Sequence, residues 1–312
     1  MAGPRRLDRL GPLRARFPGV TFGWSGEEPP DGLEGAEVLV AFRVPGAWVT
    51  EGSAPRLRWV HSTGAGVDRA LSPELRARDL LLSSSRGAFD QPVAEHTLAL
   101  LLALSRRLPE HVAHRAERRW PEFFGTPDAV ELAGRTATVL GLGTIGGRVA
   151  ELLQAVGMRV IGVRRRPAPH RAAARVTGPG GLMDALRESD VLVVVLPDAP
   201  QARRAVGRRE LEALRPGAFV VNVGRGSSLD GEALVALLRA GRLGGAALDV
   251  TDPEPPPPGS PLWTAPNLVM SGHTAGYSEH HPDRQLARFG DNLEAYLEGR
   301  PLPGRVDPEA GY

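Results

Sequence analysis

Short, continuous apolar runs alternate with helical patterns from about residue 134 to residue 273, and this alternation constrains the fold more than any other feature of the chain. Because the runs are rich in valine and continuous rather than alternating, they are typical of strands buried on both faces of a parallel sheet. Helical patterns between them include Ile145–Val156 and Gly231–Ala240. The pattern therefore predicts a doubly wound α/β sheet. Its six predicted strands are Thr136–Leu140, Arg159–Val163, Val191–Leu196, Phe219–Val223, Gly245–Val250 and Asn267–Ser271.

A second, weaker α/β pattern occupies the first 90 residues. After an opening helical stretch at Arg5–Phe17, strands are predicted at Val20–Phe22, Val38–Ala41, Leu57–His61 and Leu80–Ser83. Because 312 residues are many for one domain, we expect two. These are a substrate domain (1–92 and 278–312) and a dinucleotide-binding domain (93–277). The expected fold is a pair of Rossmann-like or flavodoxin-like doubly wound parallel sheets, with the active site in the cleft between them.

Between the two patterns, a helix is predicted to begin at Asp90, with Pro92 in its first turn, and to continue through Thr97–Leu108. This helix is apolar on almost every side, so it must be buried on several sides. We expect a homodimer formed through residues 93–108. The alternative is that the helix is buried between the domains of one chain.

The composition excludes several kinds of site. The chain has neither cysteine nor lysine, which rules out disulfides, thiolate nucleophiles, Schiff-base lysines and a Walker A loop. A net charge of only +2 argues against nucleic-acid binding. No apolar run approaches the roughly 20 residues that span a membrane, and the N-terminus lacks a secretory signal, so we expect a cytoplasmic protein. His111 and His114 have helical spacing without carboxylate partners, and we expect no metal site.

A glycine-rich turn, Gly141-Leu-Gly-Thr-Ile-Gly146, follows the predicted strand Thr136–Leu140 and opens a helix. Gly141 would permit the tight turn, Gly143 the approach of a pyrophosphate, and Gly146 close packing of helix on strand. The phosphates would lie at the helix N-terminus, where unpaired N–H groups favour negative charge. The turn predicts a dinucleotide cofactor. Its expected contacts are Gly141, Leu142, Gly143, Thr144, Ile145 and Gly146.

The end of the next strand indicates which dinucleotide is preferred. Sites for NAD usually place Asp or Glu there to hold the ribose hydroxyls, but this chain has Arg164, Arg165 and Arg166. Guanidinium groups pair with a 2′-phosphate. We therefore expect NADP(H) to be preferred, with NAD(H) possible. The alternative is that these arginines form only a solvated surface.

Three further side chains each follow a strand-like run: Arg225, Glu254 and His273. Together with a dinucleotide cofactor that carries the hydride, they form a minimal set for reducing a 2-oxo acid. An arginine can hold the carboxylate and polarise the carbonyl, a histidine can deliver the proton, and a carboxylate favours the protonated imidazole.

Several motifs of the chain resemble the D-isomer-specific 2-hydroxyacid dehydrogenase family. They are Trp59-Val-His-Ser-Thr-Gly-Ala-Gly-Val-Asp68, Val93-Ala-Glu-His96, Asn222-Val-Gly-Arg-Gly-Ser-Ser, Ala247-Leu-Asp-Val-Thr-Asp-Pro-Glu-Pro and Ser271-Gly-His-Thr-Ala-Gly. The resemblance implies that a small 2-oxo acid such as glyoxylate or hydroxypyruvate is reduced to the D-2-hydroxy acid. It also implies roles for individual residues.

In those roles Arg225 would bind the substrate carboxylate and carbonyl, His273 would be the general acid, and Glu254 would be the partner of His273. The N–H groups of Gly64, Ala65 and Gly66 would grip the carboxylate. Cofactor contacts would come from Asp249 at the nicotinamide carboxamide, from Leu196 and Pro197 on the adenine side, and from Val223.

Other functions of the same fold stay open. Arg43, just after a predicted strand, could bind a second anionic group, as a phosphoglycerate-type substrate requires. A cofactor-sensing protein like the corepressors of this fold would also resemble the three-residue set. Formate dehydrogenases of the family carry Gln where Glu254 stands, which argues against formate oxidation.

Overall fold

The computed structural model describes residues 10–23, 30–120 and 129–308. The chain divides into two compact units, Met1–Phe89 with Ser278–Tyr312, and Asp90–Tyr277. Their assignment as substrate and dinucleotide-binding domains stays a prediction. The helices are α1 Gly11–Arg16, α2 Pro73–Arg76, α3 Asp90–Ser105, α4 Leu108–Ala116, α5 Thr144–Ala155, α6 Leu182–Arg187, α7 Arg208–Ala213, α8 Gly231–Arg239 and α9 His281–Leu297. The strands are β1 Val38–Ala41, β2 Trp59–Ser62, β3 Leu81–Ser84, β4 Thr136–Leu140, β5 Arg159–Val163, β6 Arg175–Thr177, β7 Val191–Val194, β8 Ala218–Asn222, β9 Leu243–Leu248 and β10 Leu268–Met270.

The second unit is built on a seven-stranded sheet in the order β10-β9-β8-β7-β4-β5-β6. Every pair of neighbours is parallel, as in a Rossmann-like doubly wound sheet. Strands β4, β7 and β8 are buried along their whole length, which explains their continuous apolar sequence. The α/β prediction for this region is confirmed, and all carboxyl ends of its strands lie at one edge.

One strand of this sheet has no counterpart in the sequence prediction. β6 is only three residues long, lies at the sheet edge beyond β5, and is partly exposed. Its sequence, Arg-Val-Thr, carries no apolar run, so periodicity gave no signal for it. In addition, β7 ends at Val194 rather than Leu196, two residues earlier than predicted.

The first unit contains a parallel three-stranded sheet in the order β1-β2-β3. The predicted strand at Val20–Phe22 is wrong. Val20 and Phe22 instead pack by their side chains against a cluster around Leu13, Trp59 and Phe289, which explains their apolar character without a ladder partner. Within the predicted helix Arg5–Phe17, the structure has α1, and the part before residue 10 lies outside the described residues.

Helix α3 also differs from its prediction. It begins at Asp90 but ends at Ser105, and α4 starts at Leu108 after Arg107 adopts a left-handed conformation (φ 54°). The predicted continuous helix through Leu108 is therefore two helices. Among the described residues, no helix has both the length and the apolar character that crossing a bilayer requires.

Candidate active site

The glycine-rich turn has the geometry that a dinucleotide pyrophosphate needs. Gly141 has φ 102°, and a Cβ there would overlap the carbonyl of Val195. A Cβ on Gly146 would likewise overlap the carbonyl of Gly141. A Cβ on Gly143, by contrast, would meet nothing within 4 Å. Open space thus lies over Gly143, the N-cap of α5, where a helix N-terminus favours an anion. The turn fits a nicotinamide dinucleotide.

The other residues expected to contact the cofactor differ in how far their side chains and backbone groups are accessible. The side chain of Leu142 is buried and fills the space over Gly162, so only its backbone could meet a ligand. Leu196 and Pro197 are half-buried after β7. Val223 is buried, and its N–H donates to the carbonyl of Val194 at 3.1 Å. Thr144 is exposed and Ile145 is half-buried at the start of α5.

The arginine segment after β5 rests on helix α5. Arg164 is half-buried, whereas Arg165 and Arg166 are exposed. Further along the segment, Arg171 donates to Oε1 of Glu151 on α5 at 2.9 and 2.7 Å. Hydrogen bonds from Arg148 and Arg171 hold the pKa of the Glu151 carboxyl below its usual range. The segment is thus anchored beside the helix that carries the glycine-rich turn.

The sheet order brings together the ends of the strands that precede Arg225, Glu254 and His273. These residues follow β8, β9 and β10, which are consecutive neighbours in the sheet. Nδ1 of His273 lies 2.6 Å from Oε1 of Glu254. Both side chains remain about one-third exposed. The structure therefore holds an imidazole and a carboxylate in direct contact at an accessible position.

Arg225 lies in a closely packed turn. Its carbonyl accepts hydrogen bonds from Nδ2 of Asn222 at 3.1 Å and from Oγ of Ser228 at 2.6 Å. A Cβ on Gly226 would overlap the carbonyl group of Thr251, so the backbone after Arg225 passes directly against the segment after β9. The guanidinium is half-buried and donates to the carbonyl of Gly224 at 3.0 Å.

The loop that carries His273 is organised by Asp249, which is only 4% exposed. Oδ1 of Asp249 accepts from Oγ of Ser271 and from N of Thr274, both at 2.8 Å, and Oδ2 accepts from N of Ala275 at 3.1 Å. Three donors within the protein thus meet this carboxylate. Its expected bond to a nicotinamide carboxamide stays a prediction.

Sequence reasoning missed one member of this network. Nε2 of His96 on α3 lies 2.8 Å from Oγ of Ser271. The two residues are 175 positions apart, so no local pattern could have paired them.

In the first unit, the loop Gly64–Gly66 follows β2. The carbonyl of Gly64 accepts from N of Ser85 at 3.0 Å, and the carbonyl of Gly66 accepts from Oγ of Ser62 at 3.3 Å. Among the described residues, the N–H groups of Ala65 and Gly66 meet no acceptor. The loop therefore engages its carbonyl oxygens within the protein and leaves two donors for an anion.

No metal site accompanies these groups in the described part of the chain. Within residues 10–23, 30–120 and 129–308, no three side chains of the ligating types are grouped so that they could hold an ion. The rings of His111 and His114 meet edge to face with centroids 6.1 Å apart.

Comparison with known proteins gives the family. Residues 98–275 match the family model described as "D-isomer specific 2-hydroxyacid dehydrogenase, NAD binding domain". A glyoxylate reductase of Aeropyrum pernix is 36% identical over 268 residues, which cover 82% of this chain and 78% of that protein. The chain belongs to the D-isomer specific 2-hydroxyacid dehydrogenase family. It is an NAD(P)-dependent oxidoreductase with a nicotinamide-binding domain.

Two further members show the breadth of this family. A D-3-phosphoglycerate dehydrogenase of Mycobacterium bovis is 32% identical over 83% of this chain, which corresponds to 48% of its own length. The crystal structure of an NADPH-dependent glyoxylate/hydroxypyruvate reductase from Sinorhizobium meliloti, in complex with NADP and sulfate, superposes with a TM-score of 0.84. That structure has 26% sequence identity and covers 98% of this chain and 96% of its own. Members of this family are thus named for different substrates, which include glyoxylate, hydroxypyruvate and 3-phosphoglycerate.

Proposed function

We propose that this dehydrogenase reduces a small 2-oxo acid, of the glyoxylate or hydroxypyruvate type, to the D-2-hydroxy acid with NADPH. The observation that carries the proposal is the contact of His273 with Glu254. These two residues follow β10 and β9, and β9 neighbours β8, the strand that leads to Arg225. When bound, the reduced nicotinamide supplies the hydride. The residues of the chain must then hold the acid and provide the proton.

His273 is the proposed proton donor. Because an ionised carboxylate can only accept, Nδ1–H of His273 donates to Glu254, and the opposite ring nitrogen, Nε2, is the one that can face a substrate oxygen. Glu254 fixes the orientation of the ring and determines which of its nitrogens faces the substrate. General acid catalysis of this kind contributes roughly 10²–10⁴-fold in rate.

Arg225 and the loop Gly64–Gly66 are the proposed carboxylate-binding groups. A guanidinium can pair with a carboxylate through two parallel hydrogen bonds and also stabilises the negative charge that develops on the substrate oxygen. The N–H groups of Ala65 and Gly66, which meet no acceptor among the described residues, are likewise suited to a carboxylate. Each group recognises an acid function and leaves specificity for the side chain of the acid to other residues.

The preference for NADPH is proposed from the residues after β5. From Arg164 to Arg171 the chain contains no Asp or Glu, so it lacks the acid that would hold a ribose 2′-hydroxyl and repel a 2′-phosphate. Three consecutive arginines offer guanidinium groups to the phosphate instead. The S. meliloti reductase that superposes on this chain is NADPH-dependent by name, which supports the same preference.

The test follows the absorbance of NADPH and of NADH in parallel, with glyoxylate, hydroxypyruvate, pyruvate, a branched 2-oxo acid and a blank without acid. Turnover that favours NADPH and is lost in His273→Ala is the expected result. Turnover that favours NADH would contradict the cofactor preference alone. Cofactor binding without turnover of any acid would contradict the proposed reaction and favour a cofactor-sensing role.

A second candidate is a substrate with an additional anionic group, as in a phosphoglycerate-type dehydrogenase. In the first unit, Arg43 and Arg69 line an open surface depression of about 390 Å³, and Arg69 lies over the ring of Phe42 at 5.2 Å. Among the described residues neither guanidinium forms an ion pair with a carboxylate. If oxidation of 3-phosphoglycerate exceeds oxidation of glycerate, and Arg43→Ala reverses that order, this candidate replaces the first.

We also propose the homodimer expected through residues 93–108, with an interface that extends onto α4. Leu108 and Val112 of α4 are 48% and 63% exposed, and Trp120 is 93% exposed. Large exposed apolar side chains that lie close together are typical of an interface. Light scattering coupled to size-exclusion chromatography should give twice the chain mass of 33.3 kDa, and Val112→Asp should shift it towards the monomer. A monomeric wild type at micromolar concentration would contradict the proposal.

A further inference from the structure

A chain of hydrogen bonds links helix α3 to the loop that carries His273. Oγ of Ser271 donates to Oδ1 of Asp249 at 2.8 Å, and Nε2 of His96 lies 2.8 Å from the same Oγ. A hydroxyl has one hydrogen, and here the carboxylate takes it. Nε2 of His96 must therefore be the donor to Ser271. The direction of the chain is from His96 through Ser271 to Asp249.

The carboxylate at the end of this chain holds the loop in an uncommon conformation. His273 has φ 55°, in the left-handed region that few residues other than glycine adopt. Its N–H donates to the carbonyl of Asp249 at 2.7 Å, and the N–H groups of Thr274 and Ala275 donate to the Asp249 carboxylate. A strained conformation of this kind persists only where its surroundings determine it fully.

The Ser271 hydroxyl supplies one of the three donors that satisfy the buried carboxylate. A buried charge is stable only when hydrogen bonds replace its lost water. Without this hydroxyl, Oδ1 of Asp249 would keep the N–H of Thr274 as its one hydrogen bond, with Nε2 of His96 3.7 Å away. The carboxylate would then be free to turn, and the backbone around His273 would lose the group that holds it.

We propose that His96 and Ser271 are positioning residues for His273. His96 orients the Ser271 hydroxyl towards Asp249, and Asp249 holds the backbone of His273 so that its ring stays on Glu254. The proposal rests on the proposed function, in which His273 supplies the proton. It assigns to His96 of helix α3 a role that the residue type does not indicate by itself.

Four variants of the full chain test this role. Ser271→Ala and His96→Leu should each lower kcat for 2-oxo acid reduction by about 10- to 100-fold, because small misplacements of a reacting group are costly. The Kd for NADPH, from fluorescence titration, should stay within about twofold. Ser271→Thr keeps the hydroxyl and should restore most of kcat. The double variant His96→Leu/Ser271→Ala should be no slower than the slower single variant, because both substitutions interrupt the same series of hydrogen bonds.

Thr97→Val is the matched control. The Thr97 side chain is buried next to His96 on the same helix and donates to the carbonyl of Val93 at 2.7 Å, without any link to the His273 loop. It should lose a buried hydrogen bond and keep the wild-type kcat. If the kcat of Ser271→Ala equals that of Thr97→Val, or if the kcat of Ser271→Thr is as low as that of Ser271→Ala, the proposal is overturned.

Hydrogen exchange of the peptide covering residues 271–277 gives a second measurement that does not depend on turnover. The Thr274 and Ala275 amides should exchange faster in Ser271→Ala and His96→Leu than in the wild type or Thr97→Val. Unchanged exchange would overturn the proposal even if kcat falls. A wild type that turns over no 2-oxo acid would instead refute the proposed function. Hydrogen exchange would still decide whether the hydrogen bonds from His96 through Ser271 to Asp249 hold the His273 loop.

Discussion

Acidification should destabilise the first unit through one buried histidine. His61 on β2 is fully buried, and burial lowers its pKa from 6.5 to about 3. Its Nδ1 lies 2.7 Å from Oγ of Ser83, and its Nε2 lies 3.1 Å from Oγ of Ser85. These two hydroxyls satisfy a neutral ring, and no carboxylate pairs with it among the described residues. A charged His61 would therefore be buried away from water with two hydroxyl groups as its hydrogen-bond partners, and burial without a compensating charge disfavours that form.

The sign and size of the effect follow from proton linkage. Above about pH 6.5, His61 is neutral in both the folded and the unfolded chain. Below that pH the unfolded chain binds a proton that the folded unit does not bind until about pH 3. The free energy of unfolding then decreases by up to about 1.4 kcal/mol per pH unit. Between about pH 7.5 and pH 5 the loss from His61 alone amounts to about 2 kcal/mol.

His61→Gln isolates this contribution, because glutamine can still bond to Ser83 or Ser85 but does not titrate. Hydrogen exchange of peptides covering β2 and β3, corrected for the intrinsic rate at each pH, measures the free energy of unfolding of this unit in the full chain. The wild type should lose about 2 kcal/mol more than His61→Gln between the two pH values. His111→Gln, at an exposed histidine, should behave like the wild type. Equal losses in the wild type and His61→Gln would refute the reasoning, since they would mean that the folded unit accepts the proton.

Three variants of the second unit have expected outcomes of their own. Arg225→Lys should lower kcat/KM for 2-oxo acids by about 10²–10³-fold in initial-rate measurements, because an ammonium cannot form the paired hydrogen bonds of a guanidinium. Gly226→Ala should lower kcat by about 10²-fold, because its Cβ overlaps the Thr251 carbonyl and the backbone of Arg225 must move. Replacing Arg164 and Arg165 with alanine should raise the KM for NADPH by about tenfold or more and leave that for NADH within about twofold.

Controls for these variants lie in the same unit. Gly231→Ala adds a Cβ that meets nothing within 4 Å and should leave kcat unchanged. Arg187→Ala removes an exposed arginine that pairs with Asp184 and should leave both cofactor constants unchanged. If Gly226→Ala is as active as Gly231→Ala, the turn after Arg225 is less constrained than its packing indicates. If the double arginine variant weakens NADH and NADPH equally, the arginines do not discriminate the 2′-phosphate.

The sequence predicted strands well where they are buried on both faces. β4 and β5 were predicted with their observed bounds, because strands inside a parallel sheet are covered on both faces and therefore carry a mostly apolar, continuous run. An apolar run was not a reliable sign of a strand at the sheet edge or outside the sheet. The β6 strand lies at the sheet edge and has no apolar run, whereas Val20–Phe22 is apolar for packing reasons and has no strand partner.

The glycine-rich turn was likewise predictable from the sequence alone. Gly141 needs a positive φ, and Gly146 allows a close approach of the backbone. Both requirements arise within one short turn, so the spacing of the glycines in the sequence reveals them. Arg225, Glu254 and His273 were also identifiable as candidates, because each residue type has a distinct chemistry. Their roles stay predictions until the variants are measured.

Tertiary structure alone decided which of these groups meet. The order β10-β9-β8 brings the strands before His273, Glu254 and Arg225 side by side, and the crossover connections of a parallel sheet determine that order. The bond between His96 and Ser271 spans 175 positions, and sequence periodicity is limited to neighbouring turns or strands. The amino-acid sequence thus determined which segments had to be buried and where the backbone had to turn, because those requirements are local. The contacts that hold His273 on Glu254 came only from folding, because hydrogen bonds between distant segments depend on how the whole sheet is connected.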